Sequence, residues 1–546
     1  MGVPTRRRAR SVRAARRPAF HRLAVTPVWE RHPRLVVTAL AVLAAGLDIV
    51  GQSRRPLWQD EACAYWIAHG GVWAILHGQG TDGTPPAYYL LLDGVLRLVG
   101  GSEFALRLLS LVAGVALVPA IYVVMRGWAS MRSALIAAAL AAISPLVHYY
   151  AVEARNYALL QVETVVIVYA LIRASAVPQR IGGWILLAAA LALQLLTHIY
   201  SVFLLPGVVL ASAAIGAGQT RARRVLSASA ASLAAVLAAA PWIRVALASG
   251  STGVGDWIRA FWTGLPPSMA LLRSIEVFGF GGRYPSYLSH LGTAPSFTGL
   301  SMAVTFGLLL AAFAPLGRAA ARTTRPGVMT ALLALVLTPL VAAWTYSAVR
   351  QPLYLPGRYD TIVLPLFLMA LAVGFDRLIT IRTWLASTAA VCVLALAALS
   401  WVPELGPAVT PDPEDQLAGL DLAREAASGD VVVSLALRET VTAYYASRAG
   451  FRGAIISFPS EVTGHPGWYS AERMRANPRQ LEADGEAVAG KLIAAAREGH
   501  AVWILSESPT DIDRALLDPL LKEMDIDEAG SDRDASLVRL KLHAPW

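Results

Sequence analysis

The amino-acid sequence predicts an α-helical polytopic membrane protein with a small α/β domain at its C-terminal end. Of its 546 residues, 56% are hydrophobic and only 15% are charged, whereas an average soluble domain has roughly 25% charged residues. Apolar runs close to the ~20 residues that span a bilayer recur along residues 35–402. After residue 403, short apolar runs alternate between strand-like and helix-like patterns. This composition excludes a disordered chain, a disulfide scaffold and an ordinary soluble enzyme.

The apolar runs predict about eleven spans. A stretch at 182–218 is too long for one helix, and we divide it at Thr197–His198. Small residues at Ala41–Ala45 resemble a cleavage site, so the alternative for the first span is a cleavable signal peptide. The predicted spans lie near residues 35–52, 103–125, 132–150, 156–175, 182–197, 198–216, 224–247, 297–316, 327–348, 360–376 and 383–402.

The distribution of charge predicts the orientation in a plasma membrane. The formal net charge of +10 divides into +9 for residues 1–34, +11 for residues 35–402 and −10 for residues 403–546. Every predicted inner loop is rich in arginine and nearly free of acid, which is typical of cytoplasmic loops. We therefore expect a cytoplasmic N-terminal tail, an odd number of spans and an extracytoplasmic C-terminal domain. No soluble basic face emerges, so the charge does not predict a nucleic-acid partner.

The domain organisation follows from these divisions. Residues 1–34 form the basic tail, residues 35–402 the membrane domain, and residues 403–546 an α/β domain, for which we expect an accessory role such as acceptor recognition. The predicted outer segments are residues 53–102 (the first loop), 150–155, the turn at 197–198, 249–296 and 349–359. Strands are predicted at Val431–Leu437, Ala454–Phe458, Val502–Ser506 and Leu537–Leu542, and helices near 414–427, 439–448, 485–498 and 511–523.

Two adjacent carboxylates, Asp60 and Glu61, stand in the first loop of a membrane domain that has only twelve acids in residues 35–402. A carboxylate at the membrane edge, followed by aromatic residues, has the chemistry of a general base beside a sugar-sized pocket. Alternatively, Asp60 is the N-cap of an amphipathic helix over residues 61–77. Residue type and spacing leave both interpretations open.

The second outer turn carries Glu153, Arg155 and Tyr157 between two apolar spans. Charged groups at this depth are costly unless they are paired or functional, so we expect either a substrate site or an ion pair that closes the turn. His198 in the next turn is either a ligand contact or a helix-end histidine. Glu163 lies inside an apolar span, where we favour a buried hydrogen bond over catalysis.

Arg358 and Tyr359 precede the tenth predicted span. A guanidinium offers permanently charged, bidentate contacts to a phosphate, while arginine and tyrosine are also ordinary anchors at a membrane interface. The sequence favours neither interpretation.

Six motifs in order resemble one family of membrane enzymes. They are Trp58–Ala62, Asp82–Leu92, Glu103–Ser110, Glu153–Leu159, Thr197–Tyr200, and Arg358–Tyr359 with Pro365. Over roughly residues 30–402, the chain resembles the protein O-mannosyltransferase and aminoarabinose-transferase superfamily, which has the GT-C fold and includes glycosyltransferase family 39. The arginine richness and C-terminal α/β domain are similar to those of actinobacterial mannosyltransferases.

The resemblance implies a hexosyltransferase that moves a sugar, with mannose favoured, from a polyprenyl-phosphate donor to an envelope glycan, lipoglycan or protein hydroxyl, with inversion. Asp60 matches the family's catalytic aspartate, and Glu61 would orient it or bind acceptor. Arg358, Arg155 and Tyr359 would hold the donor phosphate. The remaining expected substrate contacts are Asp82, Glu153, Tyr157 and His198. The metal site stays undetermined, with a divalent ion as the possible cofactor.

One position departs from the family pattern. Aminoarabinose transferases carry Glu-Lys before the double proline, where this chain has Gly83 and Thr84. This difference argues against assigning the metal site and the lipid A acceptor of those enzymes to this chain. The alternative functions are a polytopic transporter or lipid-linked sugar flippase, which should show inverted repeats and charges near the bilayer midplane, and a non-catalytic envelope scaffold.

Overall fold

The structure, a computed structural model, describes most of the chain beyond the N-terminal tail. The described residues are 28–52, 55–78, 84–215, 218–249, 258–259, 261–262, 267–281, 284–285, 288, 297–314, 323–325, 327–405, 414–435, 437–464, 469–506, 510–527 and 537–543. The predicted tail up to residue 27, Asp82 and most of the predicted outer segment 249–296 lie outside them.

A bundle of apolar helices forms the first three quarters of the chain. The α-helices are Val28–Arg31, Pro33–Gln52, Gln59–His69, Gly71–Leu76, Ala87–Val99, Glu103–Trp128, Met131–Ile143, Pro145–Ala151, Tyr157–Ala176, Ile181–Thr197, Leu205–Ala214, Arg221–Ser249, Pro267–Phe278, Thr298–Phe313, Val328–Val349, Leu364–Ile381 and Thr383–Leu405. Three 3₁₀ helices lie within the described ranges: Ile199–Leu204, Gly218–Thr220 and Tyr359–Val363. The prediction of an α-helical membrane protein is confirmed.

The predicted spans all fall on helices. Among the described residues, 7 helices are long and apolar enough to cross a bilayer, and one bent pair passes the same test. Three shorter apolar helices account for the remaining predicted spans. The chain is therefore a multi-span membrane protein.

The bent pair shows how the sequence ends a helix inside an apolar run. Met131–Ile143 and Pro145–Ala151 meet at 58°. Ser144 is extended and its hydroxyl accepts a hydrogen bond from the Val147 N–H, while Pro145 occupies the first helical turn. Proline lacks an N–H and has a helical φ, so it suits a helix start but not a helix interior. The new direction brings residues 152–156 to the end of the bundle that carries the first loop.

The C-terminal region is a five-stranded mixed sheet with helices. The strands are β1 (Val431–Leu435), β2 (Ala454–Phe458), β3 (Val502–Leu505), β4 (Met524–Ile526) and β5 (Leu537–Leu542), in the order β2-β1-β3-β5-β4. β1 pairs in parallel with β2 and β3, while β5 is antiparallel to β3 and β4. The helices are Glu414–Glu425, Glu439–Arg448, Glu461–Gly464, Ala471–Ala476, Pro478–Arg497 and Arg514–Leu520. The predicted α/β pattern is confirmed.

Several details differ from the predicted α/β pattern. The short helices Glu461–Gly464 and Ala471–Ala476 were not predicted. β4 was not predicted, because it has three residues, one of them Asp525, and lies at the sheet edge. The helix expected near 485 begins at Pro478, since proline is suited to the first turn of a helix and the buried positions Leu481, Gly485 and Val488 continue the helical spacing.

Candidate active site

Asp60 lies in the first turn of the helix Gln59–His69, and the capping interpretation is wrong. Trp58 occupies the N-cap position with extended backbone and makes no side-chain capping bond. Acidic residues in a first turn complement the positive end of the helix dipole, which explains why the helix starts here. Successive helical residues point about 100° apart. Asp60 and Glu61 therefore face different surroundings despite being adjacent.

Arg358 reaches the site from a turn fixed by its neighbours. Gly357 has φ +81°, a region that disfavours residues with a Cβ. Its N–H donates to Asp360 Oδ1 at 2.7 Å, and its carbonyl accepts a hydrogen bond from the Tyr150 hydroxyl. Ser274 also donates to Asp360. Hydrogen bonds at Gly357 and Asp360, on both sides of Arg358, thus hold the turn that carries it.

Asp60 and Arg358 form an ion pair between the first loop and this turn. Arg358 Nη2 donates to Asp60 Oδ2, and Arg358 Nε donates to the Tyr157 hydroxyl at 3.0 Å. Arg155 approaches the same carboxylate, with Nη2 3.8 Å from Oδ2, and donates from Nη1 to the Asp60 carbonyl at 3.2 Å. The structure therefore brings together Asp60, Arg155, Tyr157 and Arg358, all of which were sequence candidates.

The two guanidinium groups determine the ionisation of Asp60. Burial alone would raise the pKa of this carboxyl, but the charges of Arg155 and Arg358 and the hydrogen bond from Arg358 outweigh burial, so its pKa lies below the ordinary value. The Asp60 side chain is 25% exposed to solvent. An ionised, partly accessible carboxylate is suited to accept a proton.

Aromatic rings line the Arg358 guanidinium. The guanidinium carbon lies 5.9 Å from the ring centroid of Trp58, 5.8 Å from that of Tyr157 and 6.0 Å from that of Tyr359. These distances are within the range of cation–π attraction. The predicted donor-binding residue Tyr359 therefore lies beside Arg358 in the same site.

His198 belongs to this aromatic group and also caps a helix. Its ring centroid lies 5.1 Å from Tyr359 and 6.1 Å from Tyr157. Its Nδ1 accepts a hydrogen bond from the Tyr200 N–H at 3.1 Å, as expected for a helix-end histidine. Burial, with the charges of Arg155 and Arg358, lowers the pKa of His198 to about 3. The imidazole is therefore neutral, and its role as a substrate contact stays a prediction.

Glu61 is turned away from the Asp60 carboxylate and paired with Arg107. Arg107 Nε and Nη2 donate to the two Glu61 oxygens at 2.7 and 2.6 Å, and the Ala154 N–H donates to Oε1 at 2.8 Å. The other Arg107 donors bind backbone carbonyls of Gln52, Arg55 and Pro56. All five N–H groups of Arg107 are satisfied. This arrangement favours the orienting role expected of Glu61 over acceptor binding.

Glu153 is buried beside the site, and one of its carboxylate oxygens has no hydrogen-bond partner. It is 5% exposed, and Oε2 is unsatisfied among the described residues, as is the Nε atom of Arg155. Burial raises the pKa of Glu153 to about 8, against the opposing charge of Arg358. Glu153 and Arg155 share a backbone hydrogen bond of 2.7 Å, while the Arg155 side chain turns to Asp60. The ion pair that would close the turn is therefore not what the structure shows.

A metal site does not form from the described residues. No group of three His, Cys, Asp or Glu side chains among them is arranged to hold a metal ion. Asp82, the remaining candidate, lies outside the described part of the chain. Glu163 accepts a hydrogen bond from Thr197 Oγ1 at 2.7 Å, as expected from its place in an apolar span.

Sequence reasoning missed Arg107 and Asp360. Arg107 is a charged residue near the start of a long apolar helix, and such a residue requires a partner; this signal was available. Asp360 lies two residues after Arg358, but only the folded turn shows that it accepts a hydrogen bond from the Gly357 N–H.

One family profile matches part of the sequence, and several solved structures have a similar fold. The profile of the dolichyl-phosphate-mannose-protein mannosyltransferase family matches residues 83–245. No curated protein matches the chain by sequence.

Several solved structures have a similar fold. The apo structure of ArnT from Cupriavidus metallidurans has a TM-score of 0.58 at 13% identity, over 94% of this chain and 98% of ArnT. ArnT bound to undecaprenyl phosphate has a TM-score of 0.57 at the same identity and coverages. The oligosaccharyltransferase AglB from Archaeoglobus fulgidus, in complex with an inhibitory peptide and a dolichol-phosphate, has a TM-score of 0.53 at 12% identity, over 94% of this chain and 74% of AglB.

Proposed function

The chain has the fold of the GT-C membrane glycosyltransferases, and we propose that it transfers a sugar from a polyprenyl-phosphate donor to a hydroxyl acceptor. The observation that carries this proposal is the Asp60 carboxylate held between Arg155 and Arg358 at one end of the bundle. A base and two fixed cations in one place are what such a transfer requires. The lipid phosphates bound by the similar ArnT and AglB support a lipid-linked donor.

Asp60 is the general base. Its carboxylate takes the proton from the acceptor hydroxyl as the oxygen attacks the anomeric carbon, and the bond from that carbon to the phosphate oxygen breaks. Attack from the side opposite the phosphate inverts the anomeric centre. A low pKa keeps Asp60 ionised and available at neutral pH, at the cost of a weaker driving force for proton transfer.

Arg358 and Arg155 stabilise the phosphate that leaves. Fixed guanidinium groups stabilise developing negative charge more effectively than water does, because they need not reorient during the reaction. The phosphate would compete with Asp60 for Arg358, so donor binding would release the carboxylate toward the acceptor. The buried Nε of Arg155, which has no partner among the described residues, supplies a further donor.

Several side chains around this centre are suited to bind the sugar. The Tyr157 and Tyr359 rings offer apolar faces beside the guanidinium. Glu153, with its pKa near 8, carries a proton at neutral pH and donates it in a hydrogen bond. We assign Glu153, Tyr157 and His198 as substrate contacts and Glu61 as the residue that orients the Asp60 helix. Asp82, which lies outside the described residues, stays a substrate contact expected from the sequence.

We favour mannose as the sugar and an envelope glycan, lipoglycan or protein as the acceptor. The matching mannosyltransferase profile supports mannose. We place the site on the extracytoplasmic face, with the N-terminal tail in the cytoplasm, because the arginines concentrate in the opposite loops.

The test is sugar transfer by the full-length protein in nanodiscs, with polyprenyl-phosphate [¹⁴C]mannose as donor and an envelope extract as acceptor. Asp60→Asn should abolish transfer while the variant still folds and binds polyprenyl phosphate. Asp93→Asn is the matched control, because Asp93 lies in the same loop and pairs locally with Arg97. Normal transfer by Asp60→Asn would refute the role of Asp60, and absence of transfer by the wild type from any polyprenyl-phosphate sugar would refute the proposed function.

A further inference from the structure

One helix of the C-terminal α/β region contacts the first loop. The helix Glu439–Arg448, here called the docking helix, accepts a hydrogen bond from Trp66 Nε1 at the Thr440 carbonyl, at 2.9 Å. The Tyr444 hydroxyl donates to the Gly101 carbonyl at 2.9 Å, and its ring meets Tyr65 edge-on at 5.0 Å. The docking helix therefore packs on the same helix that carries Asp60.

Tyr445 makes the contact that is nearest in sequence to Asp60. Its hydroxyl accepts a hydrogen bond from the Leu57 N–H at 2.8 Å and donates to Glu103 Oε1 at 2.8 Å. Tyr445 is 6% exposed and Leu57 is 3% exposed. A buried N–H that loses its hydrogen-bond partner bears the cost of its lost hydration without compensation, so this hydroxyl holds the backbone at Leu57 firmly.

Leu57 belongs to the segment that sets the position of the Asp60 helix. The carbonyls of Arg55 and Pro56 are bound by Arg107, the Leu57 N–H is bound by Tyr445, and Trp58 starts the helix. Asp60 must reach Arg155 and Arg358, which belong to other parts of the bundle. A shift of this segment would therefore change the distance between the base and the phosphate-binding cations.

We infer that Tyr445 is a positioning residue for the proposed transfer reaction, acting through Leu57 to hold Asp60 in place against Arg358. The inference rests on the proposed function. It makes the C-terminal region part of the catalytic unit, rather than only a separate recognition module. The Tyr445 hydroxyl binds Leu57 and Glu103, neither of which is assigned to the donor, so we expect the effect in turnover rather than in donor binding.

Tyr444 provides a matched control on the same helix. Its hydroxyl binds Gly101, which precedes the helix Glu103–Trp128, and makes no hydrogen bond to the segment Leu57–Asp60. Tyr445→Phe and Tyr444→Phe each remove one hydroxyl and keep the ring packing. A general effect of weakened docking would appear in both variants, whereas a positioning effect would appear only in Tyr445→Phe.

The experiment compares both variants with the wild type as full-length protein in nanodiscs. Misplacement of a catalytic group by about 1 Å costs up to about 100-fold, and for the smaller shift expected here we predict about a 10-fold fall in kcat for Tyr445→Phe, with KM for the donor within about 2-fold. The acidic limb of its pH profile should move to higher pH, because Asp60 would lie farther from the cations. Hydrogen exchange should increase in residues 57–69. Tyr444→Phe should show none of these changes.

Equal behaviour of the two variants, in turnover and in exchange, would overturn the inference. If Tyr445→Phe does not fold, hydrogen exchange at the Leu57 amide of the wild type decides the claim: protection supports the hydrogen bond to Tyr445, and exchange as fast as at a free amide would also overturn the inference. If the wild type transfers no sugar, the proposed function fails. Exchange still decides the positioning claim, since faster exchange confined to Tyr445→Phe supports it and equal exchange refutes it.

Discussion

The Arg358 guanidinium donates a hydrogen bond to the Asp60 carboxylate across a sequence separation of 298 residues. Arg155 joins them from a third part of the chain. The Asp60–Arg358 contact is partly accessible, unlike the enclosed pair of Glu61 and Arg107, whose side chains are both 2% exposed. The two adjacent acids of the first loop therefore have different surroundings: the Asp60 carboxylate is partly accessible, and the Glu61 carboxylate is enclosed and bound to Arg107.

Replacing Arg155 with Gln should move the acidic limb of the pH–activity profile to higher pH. Arg155 and Arg358 hold the pKa of Asp60 below its ordinary value, so removing one positive charge makes the carboxylate easier to protonate. The measurement is kcat/KM from about pH 4 to pH 8, which reports the free enzyme. Arg97→Gln is the control, because Arg97 is exposed and pairs with Asp93. An unmoved limb in Arg155→Gln would contradict the electrostatic explanation.

Replacing Glu153 with Gln should increase stability at high pH. The folded-state pKa of about 8 exceeds the ordinary value of 4.5, so the folded protein binds more protons than the unfolded chain between these values. Stability contributed by Glu153 is therefore lost as pH rises through this window. Gln cannot ionise, and the Tm of the variant minus that of the wild type should grow from about pH 5 to pH 9. A constant difference in Tm would show that Glu153 is ionised in the folded protein.

Replacing Arg107 with Ala should destabilise the protein strongly. The change leaves the Glu61 carboxylate buried without its cation and frees the backbone carbonyls of Gln52, Arg55 and Pro56. Breaking one side of a buried ion pair costs about 3–5 kcal/mol. Thermal unfolding in detergent, followed by tryptophan fluorescence, measures the loss. Arg475→Ala, at an ion pair with Asp511 that is exposed on both sides, should change the Tm little; a similar Tm for both variants would be inconsistent with a buried network.

Replacing Gly357 with Ala should reduce turnover. An alanine there would adopt a positive φ, at a cost of about 1–3 kcal/mol, and its Cβ would lie 2.4 Å from Val277 Cγ1. The turn must shift, and it carries Arg358 away from Asp60. Gly94→Ala is the control, since its Cβ would meet no atom within 4 Å. Steady-state kinetics should show a lower kcat/KM for Gly357→Ala only, and equal activities would mean that the turn tolerates the change.

The membrane bundle could be predicted well because bilayer spans depend on local composition. Apolar length identified the helices, and the split at Thr197–His198 coincides with the break between two of them. β4 could not be predicted in this way, because a three-residue edge strand has too few residues to show a period. It exists because β5 offers it a pairing partner.

The site could be predicted only as a set of candidate residues. Asp60, Arg155 and Arg358 stood out because charged residues are rare in the membrane domain and these three lie in its predicted outer segments. Tyr157 follows Arg155 in the second outer turn, and the structure places all four together. The pairing of Glu61 with Arg107 instead of substrate depends on which side of a helix each acid faces. The hydrogen bond between Leu57 and Tyr445 spans 388 residues, and no pattern in either segment indicates it.

The contact between Leu57 and Tyr445 has a consequence for biosynthesis. The first loop leaves the ribosome early, but its backbone partner at Tyr445 is made only after the whole membrane bundle. The loop therefore acquires its full set of contacts only when the C-terminal region has been synthesised, brought to the same side of the bilayer and folded. A nascent chain that has inserted all its helices still lacks the finished site.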